Sequence, residues 1–207
     1  MIIHDVEQGS EEWLALRCGI PTASAFSKLV TSDGKPSKSA DGYAVTLANE
    51  KYAGKPLDAF AGNMWTENGK AVESEAREYY QFVTGYDVQQ VGFITDDDRT
   101  YGISPDSLVN NDRLLEIKCL KAENHTKALL YFKKHGRCEP SYVQQTQGQM
   151  MGTGRKANDL LFYHPDLPPL IIHIEPIQAV WDGLMAQIAY VNKERDRIYE
   201  MLAAWNQ

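Results

Sequence analysis

The sequence predicts an α/β fold, a mixed central β-sheet flanked by helices. Two long stretches, 66–84 and 178–205, carry apolar residues at helical spacing. Five apolar-rich runs bounded by turn formers, 87–95, 99–109, 113–120, 159–164 and 170–175, read as strands. Their order is helix, three strands, helix, one or two strands, helix, which is a layered α/β arrangement.

The elements follow in chain order. Residues 10–17 read as a short helix with Ser10 as N-cap, Glu11 and Glu12 in the first turn and Gly19 beyond the end. Thr22 or Ser24 is placed to cap a second helix reaching Val30. A polar loop spans 31–40, a helix 41–53 and a loop Gly54 to Gly62. In the helix 66–84, Val72, Ala76, Tyr79 and Val83 form the apolar stripe and Gly85 is suited to the C′ position. A helix over 123–135 follows the first strands. Pro140 and Ser141 open another that stops near Gly152 and Gly154. Pro165 to Pro169 turn the chain between the last two strands.

The turn signal Asn110-Asn111-Asp112 sets a register. A three-residue turn centred on Asn111 pairs Val109 with Arg113. The same register brings Asp106, in Ser104-Pro105-Asp106, opposite Glu116, in Glu116-Ile117-Lys118. Opposed residues share a sheet face with Cβ atoms roughly 4.5–5.5 Å apart. Lys118, two residues on, points to that face as well. Two carboxylates so close repel unless a cation lies between them. Asp106, Glu116 and the Ile117 carbonyl are hard oxygen donors suited to Mg²⁺ or Mn²⁺. Lys118 beside them is held charged, for electrostatic stabilisation and water positioning. The competing reading is a plain hairpin with a Glu–Lys surface pair.

Three further groups bear on the same chemistry. Glu73 lies at the margin of the apolar stripe of 66–84, where it reaches over the sheet edge to a metal or pairs with Arg77 four residues on. Tyr142, Gln145 and Gln149 share one helix face, which positions water or phosphate or is simply solvated. Arg17, Thr22 and Ser24 combine a cation with two hydroxyls near a helix start, an arrangement that suits phosphate as well as ordinary capping.

Composition bounds the function. The chain of 207 residues has a net charge of −7, which disfavours a passive nucleic-acid-coating protein more than a metal nuclease. Three scattered cysteines, Cys18, Cys119 and Cys138, argue against a disulfide framework and against a zinc or iron–sulfur site. No apolar run is long enough to span a bilayer, and Met1 to Asp5 lack signal-peptide character. A cytoplasmic location with no membrane partner is the expectation. His125, His135, His164 and His173 read as surface or strand residues, and Glu194 to Arg197 as a solvated helix face.

Taken together, these motifs resemble the lambda-exonuclease, or YqaJ-type viral recombinase, family of PD-(D/E)xK nucleases. The matching pieces are Trp13-x-x-x-Arg17, Thr22-Ala23-Ser24, Gly69 to Glu73, Ser104-Pro105-Asp106, Glu116-Ile117-Lys118 and Tyr142-x-x-Gln145-x-Gln147, in family order. The resemblance implies a restriction-endonuclease-like core in a single exonuclease domain. Within it, about 1–63 would bind the DNA end, about 64–176 would form the nuclease core, and about 177–207 the C-terminal helix. It implies a Mg²⁺-dependent exonuclease that degrades one strand of double-stranded DNA 5′→3′ and leaves a 3′ overhang. A ring-shaped homotrimer threaded by DNA, and a phage or prophage role in a bacterial host beside a single-strand-annealing protein, are implied with it. Asp106, Glu116, the Ile117 carbonyl and Glu73 would form the metal cluster, Lys118 would be the catalytic lysine and Gln145 its support. Arg17, Thr22, Ser24 and Ser104 would hold the 5′-phosphate, and Met64 and Trp65 lie in the region of the duplex-splitting wedge. A structure-specific endonuclease on the same fold, a Cas4-like enzyme and a non-catalytic recombination scaffold are the alternatives. The absent cysteine cluster weakens the Cas4-like one.

Overall fold

A computed structural model describes residues 1–57 and 67–205. The wedge candidates Met64 and Trp65, the first residue of the 66–84 helix and part of the loop before it lie outside the described residues. In chain order the elements are β1 (Ile2–His4), α1 (Glu11–Arg17), a 3₁₀ helix (Ala23–Lys28), α2 (Ala40–Ala53) and α3 (Glu67–Thr84). Then come β2 (Val88–Gln89), β3 (Phe93–Thr95), β4 (Gly102–Ile103), β5 (Ser107–Val109) and β6 (Arg113–Cys119). They are followed by α4 (Ala122–His135), a 3₁₀ turn (Pro140–Tyr142), α5 (Val143–Thr153), β7 (Ala157–Tyr163), β8 (Leu170–Ile174) and α6 (Gln178–Ala204).

The described strands form two sheets. The larger is mixed, in the order β2-β5-β6-β7-β8, with only β6 and β7 parallel. The smaller, β1-β3-β4, is antiparallel. The sequence placed one strand over 87–95 and another over 99–109. Each is instead divided between the two sheets. The second division falls at Ser104-Pro105-Asp106, where Pro105 has no N–H to give a ladder.

The hairpin has the predicted register. Val109 pairs with Arg113, Leu108 with Leu114 and Ser107 with Leu115. Asn110 takes a positive φ of 43°, a conformation that asparagine tolerates better than most residues. Arg155 braces the turn by donating to the carbonyls of Val109, Asn110 and Arg113.

α3 packs on one face of the large sheet, with Ala76 and Tyr80 fully buried against Leu115 and Leu161. Tyr80, not Val83, completes the buried stripe; Val83 is 45% exposed. The Tyr80 hydroxyl donates to Asp159 on β7, a buried carboxylate also bound by Arg113 and His173. α4 covers another part of the sheet, where Ala128 joins Leu160, Phe162 and Ile172. His125 on α4 is fully buried, with Nε2 against the Pro168 carbonyl, rather than a surface residue. The largest core joins residues from Ala23 to Val191, so α2, the 3₁₀ helix, α5 and α6 share it.

Gly148 is required at one close approach. A Cβ there would lie 2.3 Å from the Phe26 ring, so α5 sits directly on the first 3₁₀ helix. Arg195, expected on a solvated face, turns inward to donate to the Gly19 carbonyl, which ties α6 to the end of α1.

Candidate active site

The hairpin delivers the first groups. Its ladder ends at Ser107, and continuing the register by one residue sets Asp106 opposite Glu116. The Asp106 backbone N–H still reaches the Leu115 carbonyl at 3.1 Å, and its carboxylate accepts from the Ile117 N–H. Glu116 lies mid-strand on β6 and is only 2% exposed. A buried carboxylate of this kind requires partners. Lys118 Nζ donates to Glu116 Oε1 at 2.6 Å, so the competing surface-pair reading fails on burial.

α5 supplies the rest. Gln145 Nε2 donates to Glu116 Oε1 at 2.6 Å, while Gln145 Oε1 lies 3.3 Å from Lys118 Nζ. Gln149 Nε2 donates to Glu116 Oε2 at 2.6 Å. Gln147, the second glutamine of the resemblance motif, faces elsewhere. It caps the start of α6 by binding the Ile177 N–H and the Trp181 indole. Gln149 is thus the residue the motif reading missed; its signal was the i, i+3, i+7 face shared with Tyr142 and Gln145.

The electrostatics are those of a crowded acidic centre. Burial first, then the charges of Glu116 and Glu73, hold the Asp106 carboxyl well above its ordinary range, against the opposing pull of Lys118 and the Ile117 N–H. Burial alone would lower the Lys118 ammonium, but Glu116 and Asp106 outweigh it and hold it above its ordinary value. Lys118 therefore stays charged at neutral pH. Glu73 contributes charge but is turned toward Arg77, whose Nη2 lies 2.7 Å from its Oε1. No three His, Cys, Asp or Glu side chains are gathered to hold a metal ion among the described residues. The donor chemistry of Asp106, Glu116 and the Ile117 carbonyl suits a hard divalent cation, and the upward push on the Asp106 carboxyl reflects a crowding of acidic groups that such a cation would relieve.

The N-terminal group assembles separately. Ser10 caps α1 as expected, its Oγ accepting from the Trp13 N–H. Thr22 precedes a 3₁₀ rather than an α-helix and makes no side-chain cap. Its hydroxyl instead accepts from Arg17 Nη2 at 3.3 Å, and Ser24 Oγ accepts from the same nitrogen at 2.9 Å. The Arg17 guanidinium stacks 4.0 Å over the Trp13 ring. Burial pushes Arg17 down to about 10, which leaves it charged at neutral pH. Arg17, Thr22 and Ser24 line a cavity of about 400 Å³ that also meets Lys28, Tyr43 and Glu50. Tyr43 Oη accepts from the Thr22 N–H at 3.3 Å. Ser104 accepts from the Trp13 indole N–H at 2.9 Å, at the edge of the ring on which Arg17 stacks.

Residues 12–156 match the family model of the YqaJ-like viral recombinase domain. The alkaline exonuclease LHK-Exo from Laribacter hongkongensis superposes with a TM-score of 0.78 at 30% identity, over 94% of this chain and 96% of that one. Its complex with dAMP gives a TM-score of 0.79 at 30% identity, over 93% and 96%. A phage-related exonuclease from Haemophilus somnus 129PT shares the fold, with a TM-score of 0.66 at 17% identity over 88% and 96%. No curated protein matches the chain.

Proposed function

Since the chain belongs to the YqaJ-like viral recombinase domain family, we propose that it is a metal-dependent exonuclease that hydrolyses one strand of linear double-stranded DNA 5′→3′. The observation that carries this reading is the buried Asp106–Glu116–Lys118–Gln145 cluster on a hairpin of fixed register. The alkaline exonuclease activity named for the 30%-identical structure supports it.

Asp106, Glu116 and the Ile117 carbonyl would hold Mg²⁺, or Mn²⁺ in its place, with Glu73 adding charge beside them. The ion would polarise the phosphodiester and favour a hydroxide nucleophile. Lys118 places a fixed positive charge where negative charge builds on the phosphate, and Gln145 restrains both Lys118 and Glu116. Arg17, Thr22 and Ser24 offer a guanidinium and two hydroxyls to the terminal 5′-phosphate, with Ser104 supporting them through Trp13. The product is a 3′ single-stranded overhang, the substrate of a single-strand-annealing protein in phage-type recombination. A DNA-threaded homotrimer belongs to the same reading, and light scattering should then return three times the chain mass.

Digestion of linear duplex labelled at its 5′ or 3′ end, with Mg²⁺ or EDTA, tests polarity and metal dependence together. Early release of the 5′ label only with Mg²⁺ is expected. Cutting of covalently closed circular duplex would favour an endonuclease instead. No helix among the described residues is long and apolar enough to cross a membrane.

A further inference from the structure

We propose that Gln149, oriented by Asn158, is a positioning residue that sets how Glu116 presents its carboxylate to the metal. The inference rests on the reading of Asp106 and Glu116 as metal ligands. Gln149 is fully buried in α5 and Asn158 fully buried in β7. Gln149 Nε2 donates to Glu116 Oε2 at 2.6 Å and lies 3.4 Å from the Ser104 carbonyl. One amide nitrogen therefore contacts both β6, which carries Glu116, and the segment that leads into Asp106.

The amide has a single workable orientation. A carboxylate accepts but does not donate, so Nε2 must face Glu116 and Oε1 must face away. Asn158 Nδ2 meets that Oε1 at 2.8 Å. Asn158 in turn leaves its own Oδ1 buried with no hydrogen-bond partner among the described residues. Turning Asn158 over would set two carbonyl oxygens against each other. An unpartnered buried oxygen is uncommon in folded proteins, and here it accompanies the one arrangement that holds Gln149 correctly.

The arrangement has a consequence for ligation. An ionised carboxylate has about four lone-pair positions. Lys118 and Gln145 take two on Oε1, and Gln149 takes one on Oε2. The remaining position is on Oε2, so Glu116 is set to bind an ion through that oxygen alone. Hydrogen-bond partners behind metal ligands commonly change metal affinity by about 10–100-fold when removed.

The test is calorimetric titration of the metal-free protein with Mn²⁺, with folding checked by near-UV circular dichroism. Gln149→Met keeps the volume but loses both donor and acceptor, and should weaken Mn²⁺ binding by about 10-fold or more. Asn158→Leu should weaken it less. Because Asn158 acts through Gln149, adding Asn158→Leu to Gln149→Met should change nothing further. Should Gln149→Met fail to fold, Gln149→Asn, an amide one methylene too short, is expected to give the same loss. Wild-type affinity in the folded Gln149 variant overturns the inference, as does a full Asn158→Leu effect in the Gln149→Met background. Mn²⁺ binding by the wild type that Asp106→Ala does not weaken sinks the metal-site reading itself, and the inference with it.

Discussion

The indole N–H of Trp13 donates to Ser104 Oγ at 2.9 Å, across 91 positions of sequence. Trp13 is the platform under Arg17, and Ser104 stands two residues before Asp106. Ser104 Oγ donates in turn to the Gly92 carbonyl at 3.0 Å, and its backbone oxygen faces Gln149. One serine thus lies between the cavity around Arg17 and the acidic centre.

The cavity makes the first prediction. Arg17→Ala removes a partly buried guanidinium whose hydroxyl partners would otherwise face a phosphate with it. Wild-type protein should prefer 5′-phosphorylated over 5′-hydroxyl duplex ends, and the variant should lose that preference. Initial rates on the two end types provide the check; equal rates for the wild type would remove the phosphate pocket.

Lys118→Met retains the length and apolar stem of the side chain but not its charge. The expected loss is about 10²–10³ in kcat, the scale on which a fixed electrostatic donor usually acts. Single-turnover digestion of labelled linear duplex isolates this step. Activity within a factor of two of the wild type would exclude Lys118 from the chemistry.

Asp106→Asn should stabilise the metal-free protein while abolishing cleavage. The native carboxylate is buried and faces the charges of Glu116 and Glu73, whereas an amide keeps the acceptor for the Ile117 N–H and removes the repulsion. In EDTA its melting temperature should exceed that of the wild type by several degrees, since about 1 kcal/mol shifts a domain of this size by roughly 2–4 °C. Mg²⁺ should raise the melting temperature of the wild type and leave the variant unmoved.

Tyr80→Phe addresses the other buried carboxylate. Burial, then the hydrogen bond and charge of Asp159, raise the Tyr80 phenol far above its ordinary value. The sign follows: the native state holds that proton more tightly than the unfolded state, so the contribution is whole below the ordinary phenol value near 10 and declines as pH rises above it. The variant should lose about 1–3 kcal/mol at neutral pH, because Asp159 is left one donor short. It should also show a flatter alkaline decline than the wild type. Urea unfolding from pH 7 to 11 measures both.

Local chemistry made much of this molecule legible. Ser10, Gly85 and Gly154 mark helix ends because caps and left-handed C′ residues act within a few positions of chain. The Asn110–Asp112 turn fixed the opposition of Asp106 and Glu116 for the same reason. What escaped depends on packing between distant segments. The helix face groups Gln149 with Gln145, but nothing near them in sequence says that this face meets Glu116 or that Gln147 caps α6. Arg195 looks solvated until Gly19 is brought beneath it. The two-sheet division of 87–109 depends on β1, a strand more than eighty residues upstream that is recruited to pair with β3.

The contact at Gly148 gives the molecule a measure of length. With no side chain between α5 and the Phe26 ring, the helix bearing Gln145 packs directly on the 3₁₀ helix bearing Ser24. On the proposed reading, an anchor for the strand end and a cutting point joined by this contact would form a gauge, and the gap between them would set the size of each excised unit. Widening that gap with Gly148→Ala should alter the size distribution of released products, readable on a sequencing gel.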